Sequence, residues 1–183
     1  MSINFQPLNK HDVNFSNVLD LYREAFPEIR RVPQWLLRYK MRKGKAGFSV
    51  IYDHDTWLGF IYTTEYKDII YVQFMAITES LRSSGYGSKV IDSIKDMYCG
   101  KRIVLNIEEL NEQAENYPQR LKRKAFYEKN DFNSSGYIVK EPAERVEVLI
   151  FGGNISKEEI EEMYKSLMGF PFGLLIKPEV FKI

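Results

Sequence analysis

The chain has 183 residues, with 26 Lys and Arg against 25 Asp and Glu, so a formal charge of +1 excludes a global field favouring nucleic acid or an anionic membrane. The length suits one domain with an adequate core. Its one cysteine, Cys99, excludes an internal disulfide, and its two histidines, His11 and His54, sit beside aspartates in polar stretches, so no metal site and no Cys/His nucleophilic chemistry is expected.

The first residues have neither a basic n-region nor an apolar h-region, and no apolar run approaches membrane-spanning length. A cytoplasmic protein with no membrane and no nucleic-acid partner is expected. In chain order, residues 3–8 are predicted as a short strand. Residues 14–26 are predicted as a helix with Phe15, Val18, Leu19, Tyr22 and Phe26 on one face, stopped by Pro27. A second helix is predicted from near Pro33, with Trp35, Leu36 and Tyr39 along it. Around it lie Arg30, Arg31, Arg38, Lys40, Arg42, Lys43 and Lys45, which read better as a solvated face than as a nucleic-acid site because no second basic element joins them.

Residues 48–52 and 56–66 read as strands around the turn Asp53-His54-Asp55, and Tyr66-Lys67-Asp68 leads into a nearly unbroken β-favouring run, Ile69–Ile77. These three strands are expected to be consecutive antiparallel partners. Helical spacing resumes at Val90, Ile91, Ile94, Met97 and Tyr98, with Gly100 placed to end the helix. Residues 102–107 give another buried strand, parallel to Ile69–Ile77 because a helix connects the two.

After a polar loop, residues 118–130 are predicted as a helix carrying Leu121, Ala125 and Phe126, and residues 133–140 and 145–151 as a hairpin. Ser156 with Glu159 is a capping-box pattern for a last helix lined by Ile160, Met163, Tyr164 and Leu167, and an apolar tail over 170–183 ends the chain.

The stretch that carries chemistry is Arg82-Ser83-Ser84-Gly85-Tyr86-Gly87-Ser88, between the central strand and its helix. Gly85 and Gly87 let the backbone turn tightly and let a ligand approach without a Cβ in the way. The first amides of a helix lack internal partners and, with the helix dipole, attract an anion such as a pyrophosphate. An ordinary turn before a helix is the plainer reading. The loop is neither a Rossmann fingerprint, since Val90 stands where a third glycine is required, nor a P-loop, since Gly87 is followed by Ser88 and Lys89.

What does match is Arg-x-x-Gly-x-Gly after a buried strand: Arg82 to Gly87 resembles motif A of the GNAT superfamily of N-acetyltransferases. The order β-α-α-β-β-β-α-β-α-β-β over residues 3–153 is similar to that family's, and Ala125-Phe126-Tyr127-Glu128-Lys129-Asn130-Asp131-Phe132 resembles its A-x-x-x-F-Y-x-x-x-G-F region. The resemblance implies an α/β (α+β) fold, the GNAT acyl-CoA N-acyltransferase fold: a central mixed, mostly antiparallel sheet with one splayed parallel pair, flanked by helices. It implies an acetyltransferase domain over residues 1–153, with 154–183 a helix and apolar tail packed on the domain or on the partner in a homodimer.

The implied activity is N-acetyl transfer from acetyl-CoA to a primary amine, of a small molecule or a peptide, by direct attack. In this likeness Arg82, Ser83, Ser84, Gly85, Tyr86, Gly87 and Ser88 bind the pyrophosphate, and backbone groups of Met75, Ala76 and Ile77 meet the pantetheine arm in the gap beside a splayed strand. Tyr127 is implied as the acid that protonates the departing thiolate, with a packed helix aromatic as the plainer account. Many relatives carry a glutamate two or four residues ahead of the position of Met75, where this chain has Gln73 and Tyr71, neither a base near neutral pH.

Glu108 and Glu109 are the replacements, acting directly or through water; they equally suit contact with a cationic acceptor or a solvated loop, and water alone can suffice. Arg120 stands where relatives often place an asparagine that contacts the cofactor, and with Arg123 it is expected against a phosphate of coenzyme A, while Lys122 and Lys124 read as a solvated face. Asp131 replaces the usual glycine and tolerates a left-handed backbone better than most residues. The acceptor is expected near Glu28, Trp35, Tyr39, Tyr62 and Glu108. A non-catalytic acyl-CoA-binding regulatory module is the alternative, favoured by the missing strand carboxylate.

Overall fold

The computed structural model describes residues 3–8, 14–28, 31–32, 46–142, 144–168 and 177–183. The expected second helix with Trp35 and Tyr39, all of the basic cluster except Arg31, and tail residues 170–176 lie outside the described residues. The chain divides into two compact units, Met1–Glu65 with Val72–Cys99, and Tyr66–Tyr71 with Gly100–Ile183.

The first unit contains β1 (Ile3–Pro7), α1 (Phe15–Ala25), β2 (Ala46–Asp53), β3 (Thr56–Tyr66), most of β4 (Ile69–Ile77), a 3-10 turn (Glu79–Leu81) and α2 (Tyr86–Met97). β2 pairs antiparallel with β1 and β3, and its pairing with β3, from Ala46↔Thr64 to Asp53↔Thr56, carries it beyond the expected 48–52. The register shifts between Ile51, opposite Gly59, and Tyr52, opposite Trp57, so Leu58 bulges from β3. The core packs Val18, Leu21 and Tyr22 of α1 against Phe48, Val50, Phe60, Tyr62, Phe74 and Ala76.

Tyr22 sits at the centre, its ring 4.9 Å from Phe74 and nearly perpendicular to it, at 82°. Burial pushes its phenol up to about 12, and its oxygen accepts a hydrogen bond from the Val32 amide at 2.8 Å. Arg31 closes the end of α1 by donating to the carbonyls of Phe26 and Arg23, each at 2.6 Å. In α2, Val90, Ile91 and Ile94 are buried, but Met97, expected on the same face, is 51% exposed at the helix end.

The second unit contains β5 (Arg102–Glu108), α3 (Tyr117–Lys129), β6 (Asn133–Lys140), β7 (Arg145–Phe151), α4 (Lys157–Met168) and β8 (Glu179–Lys182). Among the described residues, the eight strands follow the order β1-β2-β3-β4-β5-β7-β6-β8 in a mostly antiparallel sheet whose one parallel pair is β4 and β5. The capping box of α4 forms as expected: the Glu159 amide donates to Ser156 Oγ at 3.2 Å and the Ser156 amide to Glu159 Oε2 at 2.9 Å. Ile160 and Met163 of α4 are fully buried with Val104, Val148 and Ile150.

Arg102 ties three segments together. It bonds both carboxylate oxygens of Asp68 at 2.7 and 2.8 Å, Glu159 Oε1 at 2.7 Å and the Asn154 carbonyl at 2.7 Å. The chain's last residues, expected as a tail, form β8 against β6, with Tyr137 opposite Lys182; four residues are too few to show a period.

α3 differs most from expectation. Leu121 is 41% exposed, and no residue of the helix is buried. The helix is anchored by charge instead: Lys124 pairs with buried Glu147 at 2.8 Å, which corrects its reading as solvated, and Arg120, one turn earlier, pairs with Glu144 at 3.3 Å. It ends in a Schellman motif, the Phe132 amide donating to the Tyr127 carbonyl at 3.1 Å and the Asp131 amide to Glu128 at 3.1 Å. Asp131 is left-handed there, at φ 62°.

Candidate functional site

The site builds from the end of β4. After Ile77 the Thr78 amide donates to the Leu58 carbonyl at 2.8 Å, and the 3-10 turn uses the amides of Leu81 and Arg82, bonded to Thr78 and Glu79 at 3.0 and 3.1 Å. The next backbone donor to find a carbonyl is Lys89, bonded to Gly85 at 3.4 Å. Between them residues 82–85 form a turn, and none of the amides from Ser83 to Ser88 makes a short, well-aligned backbone bond among the described residues. Ser83 at φ 63° and Gly85 at φ 83° are both left-handed, and no side chain caps α2. Two left-handed residues and the uncapped, positive end of α2 are an arrangement able to meet an anion through backbone amides.

Gly85 has nothing within 4 Å of where a Cβ would stand, so its outer side is open. Arg82 donates through Nε to the Ile77 carbonyl at 3.0 Å and through Nη2 to Glu24 Oε1 at 2.9 Å. Met75 and Ile77 are half-buried and Ala76 buried; the Ala76 carbonyl lies 2.0 Å from where a Cβ on Gly59 would stand.

Of the expected acceptor residues in this unit, Glu28 is exposed, while Tyr62 is fully buried in the aromatic core, with no partner for its hydroxyl among the described residues. Burial also leaves Gln73 Oε1 without a partner there. A cavity of about 250 Å³ that the sequence reading missed is lined by Asn17, Asp20, Leu21, Glu24, Trp57, Thr78 and Glu79. The spacing of Asn17, Asp20 and Glu24 along α1 places them on one helical face, which is the signal that could have found it.

In the second unit Tyr127 is half-buried, 5.1 Å from Phe126 and 5.8 Å from Phe132 ring to ring, and its hydroxyl makes no hydrogen bond among the described residues. Burial raises its phenol pKa, partly offset by the Arg123 guanidinium. Glu108 is 4% exposed and ion-paired with Arg123, and Glu109 is paired with Arg145 at 2.8 Å.

Arg120 has its donors engaged by Asn116 Oδ1 and the Glu109 carbonyl, both at 2.7 Å, as well as Glu144. Tyr71 accepts from Asn106 Nδ2 at 2.9 Å beside the Tyr164 to Glu141 bond of 2.7 Å, and burial pushes both phenols upward, so neither is a base. Among the described residues no group of His, Cys, Asp or Glu is arranged to hold a metal ion, and no helix is long and apolar enough to cross a membrane.

The fold and loop define an acyltransferase of the kind the sequence resembled. Residues 15–132, more than half of the chain, match the model of the Acetyltransferase (GNAT) family, and the chain belongs to that family, whose cofactor is acetyl-CoA. Solved structures share the fold. A putative acetyltransferase of the GNAT family from Bacteroides thetaiotaomicron is 23% identical, covering 95% of this chain and 99% of its own, at a TM-score of 0.74. Arabidopsis thaliana Naa50 in complex with the bisubstrate analogue CoA-Ac-MVNAL is 18% identical over 84% of this chain and 100% of its own, at 0.61. An aminoglycoside 6′-N-acetyltransferase complexed with coenzyme A is 15% identical over 82% and 96%, at 0.60. No curated protein matches the chain.

Proposed function

We propose that the protein is an N-acetyltransferase moving an acetyl group from acetyl-CoA to a primary amine by direct attack. The observation that carries this reading is the left-handed turn of Ser83 and Gly85 at the uncapped start of α2, where the amides from Ser83 to Ser88 would take the pyrophosphate. Backbone groups of Met75, Ala76 and Ile77 would take the pantetheine arm, one amide polarising the acyl carbonyl. When bound, acetyl-CoA supplies an acetyl group activated as a thioester.

Tyr127 Oη gives its proton to the leaving thiolate; its raised pKa keeps that proton in place at neutral pH, and no hydrogen bond among the described residues competes for it. Glu108 holds Arg123 rather than taking a proton, so water removes the proton of the amine. Arg120 and Arg123, paired with Glu144 and Glu108, hold α3 and remain the candidates for a phosphate of coenzyme A. The relatives support an amine acceptor: an aminoglycoside for one, and for Naa50 the analogue CoA-Ac-MVNAL. Glu109, 34% exposed beside Arg145, is more accessible to a cationic acceptor than Glu108.

The paired Glu108, with Tyr71 and Gln73 in the strand, favours a second reading, a regulatory module that binds acyl-CoA without turnover. Incubation with acetyl-CoA and a panel of small and peptide amines, following free thiol release, separates the two. Turnover on an amine supports the enzyme, binding without turnover on any amine supports the module, and absence of binding defeats both.

A further inference from the structure

Arg82 opens the loop before α2, yet its guanidinium is held by Glu24 Oε1 at 2.9 Å, with Nε on the Ile77 carbonyl at 3.0 Å. The two side chains are 44% and 52% exposed, so the pair is weak and opens readily. A guanidinium on phosphate oxygens makes shorter, charge-assisted and often bidentate bonds, and it sheds its hydration easily.

Glu24 also lines the cavity shared with Thr78, whose buried hydroxyl has no partner among the described residues and can donate to a released carboxylate. We propose that Glu24 is a positioning residue that competes with the cofactor's pyrophosphate for Arg82. In the free protein the guanidinium rests on Glu24; on loading it swings about its Ile77 contact to the phosphate, and the carboxylate turns to the cavity and Thr78. Glu24 therefore lowers the affinity of the loop. The inference rests on the reading of residues 82–88 as the cofactor loop.

Titration calorimetry of coenzyme A into the full chain, at low ionic strength where exposed pairs count most, tests it. Glu24→Gln is expected to tighten Kd by about two- to five-fold, the worth of one exposed ion pair. In an Arg82→Gln background the same substitution is expected to change nothing. A structural tether would give the opposite sign, weaker binding in Glu24→Gln. Simple repulsion between Glu24 and the cofactor would give equal tightening in both backgrounds. Either result, or an unchanged Kd, overturns the exchange while leaving the cofactor loop standing. A wild-type chain that does not bind coenzyme A overturns both.

Discussion

Gly59→Ala is the substitution on which the geometry makes its sharpest demand. The new Cβ would stand 2.0 Å from the Ala76 carbonyl oxygen, and 3.0 Å from both the Ala76 carbonyl carbon and the Ile77 Cα. All three neighbours are backbone, so no side chain can yield, and β3 and β4 would have to part by about 1 Å to reach tolerable contact. Overpacking of this kind costs about 1–3 kcal/mol. The backbone adds to it, because Gly59 has φ +152°, a region nearly confined to glycine, at about 1–3 kcal/mol more.

The sum, about 2–6 kcal/mol, corresponds to a fall in Tm of about 6–18 °C for a chain of this size, at about 3 °C per kcal/mol. Thermal melts followed by circular dichroism measure it directly. Gly47→Ala in β2 is the control, since nothing lies within 4 Å of its Cβ position, and it is expected to stay within about 0.5 kcal/mol of wild type. A Gly59→Ala melt within about 3 °C of wild type would refute the close approach of β3 and β4 at Ala76.

Three further substitutions separate the remaining roles. Tyr127→Phe is expected to lower kcat by about 100-fold with the calorimetric Kd for coenzyme A unchanged; because burial raises the phenol, the alkaline limb of wild-type activity should lie above about 10, and unchanged turnover in the variant removes Tyr127 from the chemistry. Arg102→Met is expected to cost about 2–3 kcal/mol at neutral pH, chiefly through Glu159 and the Asn154 carbonyl, since Asp68 is half-exposed. The Arg102 guanidinium holds the carboxyls of Asp68 and Glu159 below their usual range, so their contribution is complete above about pH 4 and is lost as pH falls through the depressed values. The stability gap between wild type and variant should therefore close in acid, and a gap independent of pH would sink this account. Asp131→Gly should raise Tm by about 2–4 °C by relieving the left-handed backbone at φ 62°, and a fall in Tm would mean that the Asp131 side chain outweighs that strain.

What could be read from the sequence was what local chemistry dictates. β4 ran from Ile69 to Ile77 as expected, because an apolar run bounded by a turn and a glycine loop leaves little choice, and the Ser156/Glu159 box marked the start of α4. Asp131, in the place of a glycine, adopts the left-handed conformation that its side chain tolerates.

What escaped depended on partners distant in the chain. Arg120 and Arg123 pair with Glu144 and Glu108, and no spacing rule announces those pairs. Leu121 lies on an exposed part of a helix that Lys124 also ties to Glu147, which its own pattern does not reveal. Tyr62 was picked as an aromatic near an acceptor, and only the ring of Phe48 at 4.7 Å and the rest of the core make it a packing residue.

The match to the family stops at residue 132, while the second core continues past it: Val148 and Ile150 of β7, then Ile160 and Met163 of α4, are as deeply buried as Val104 of β5. A chain ended at residue 132 would therefore lose the residues that cover Ile69 and Val104. The family match thus marks a stretch of sequence rather than a piece with its own complete core.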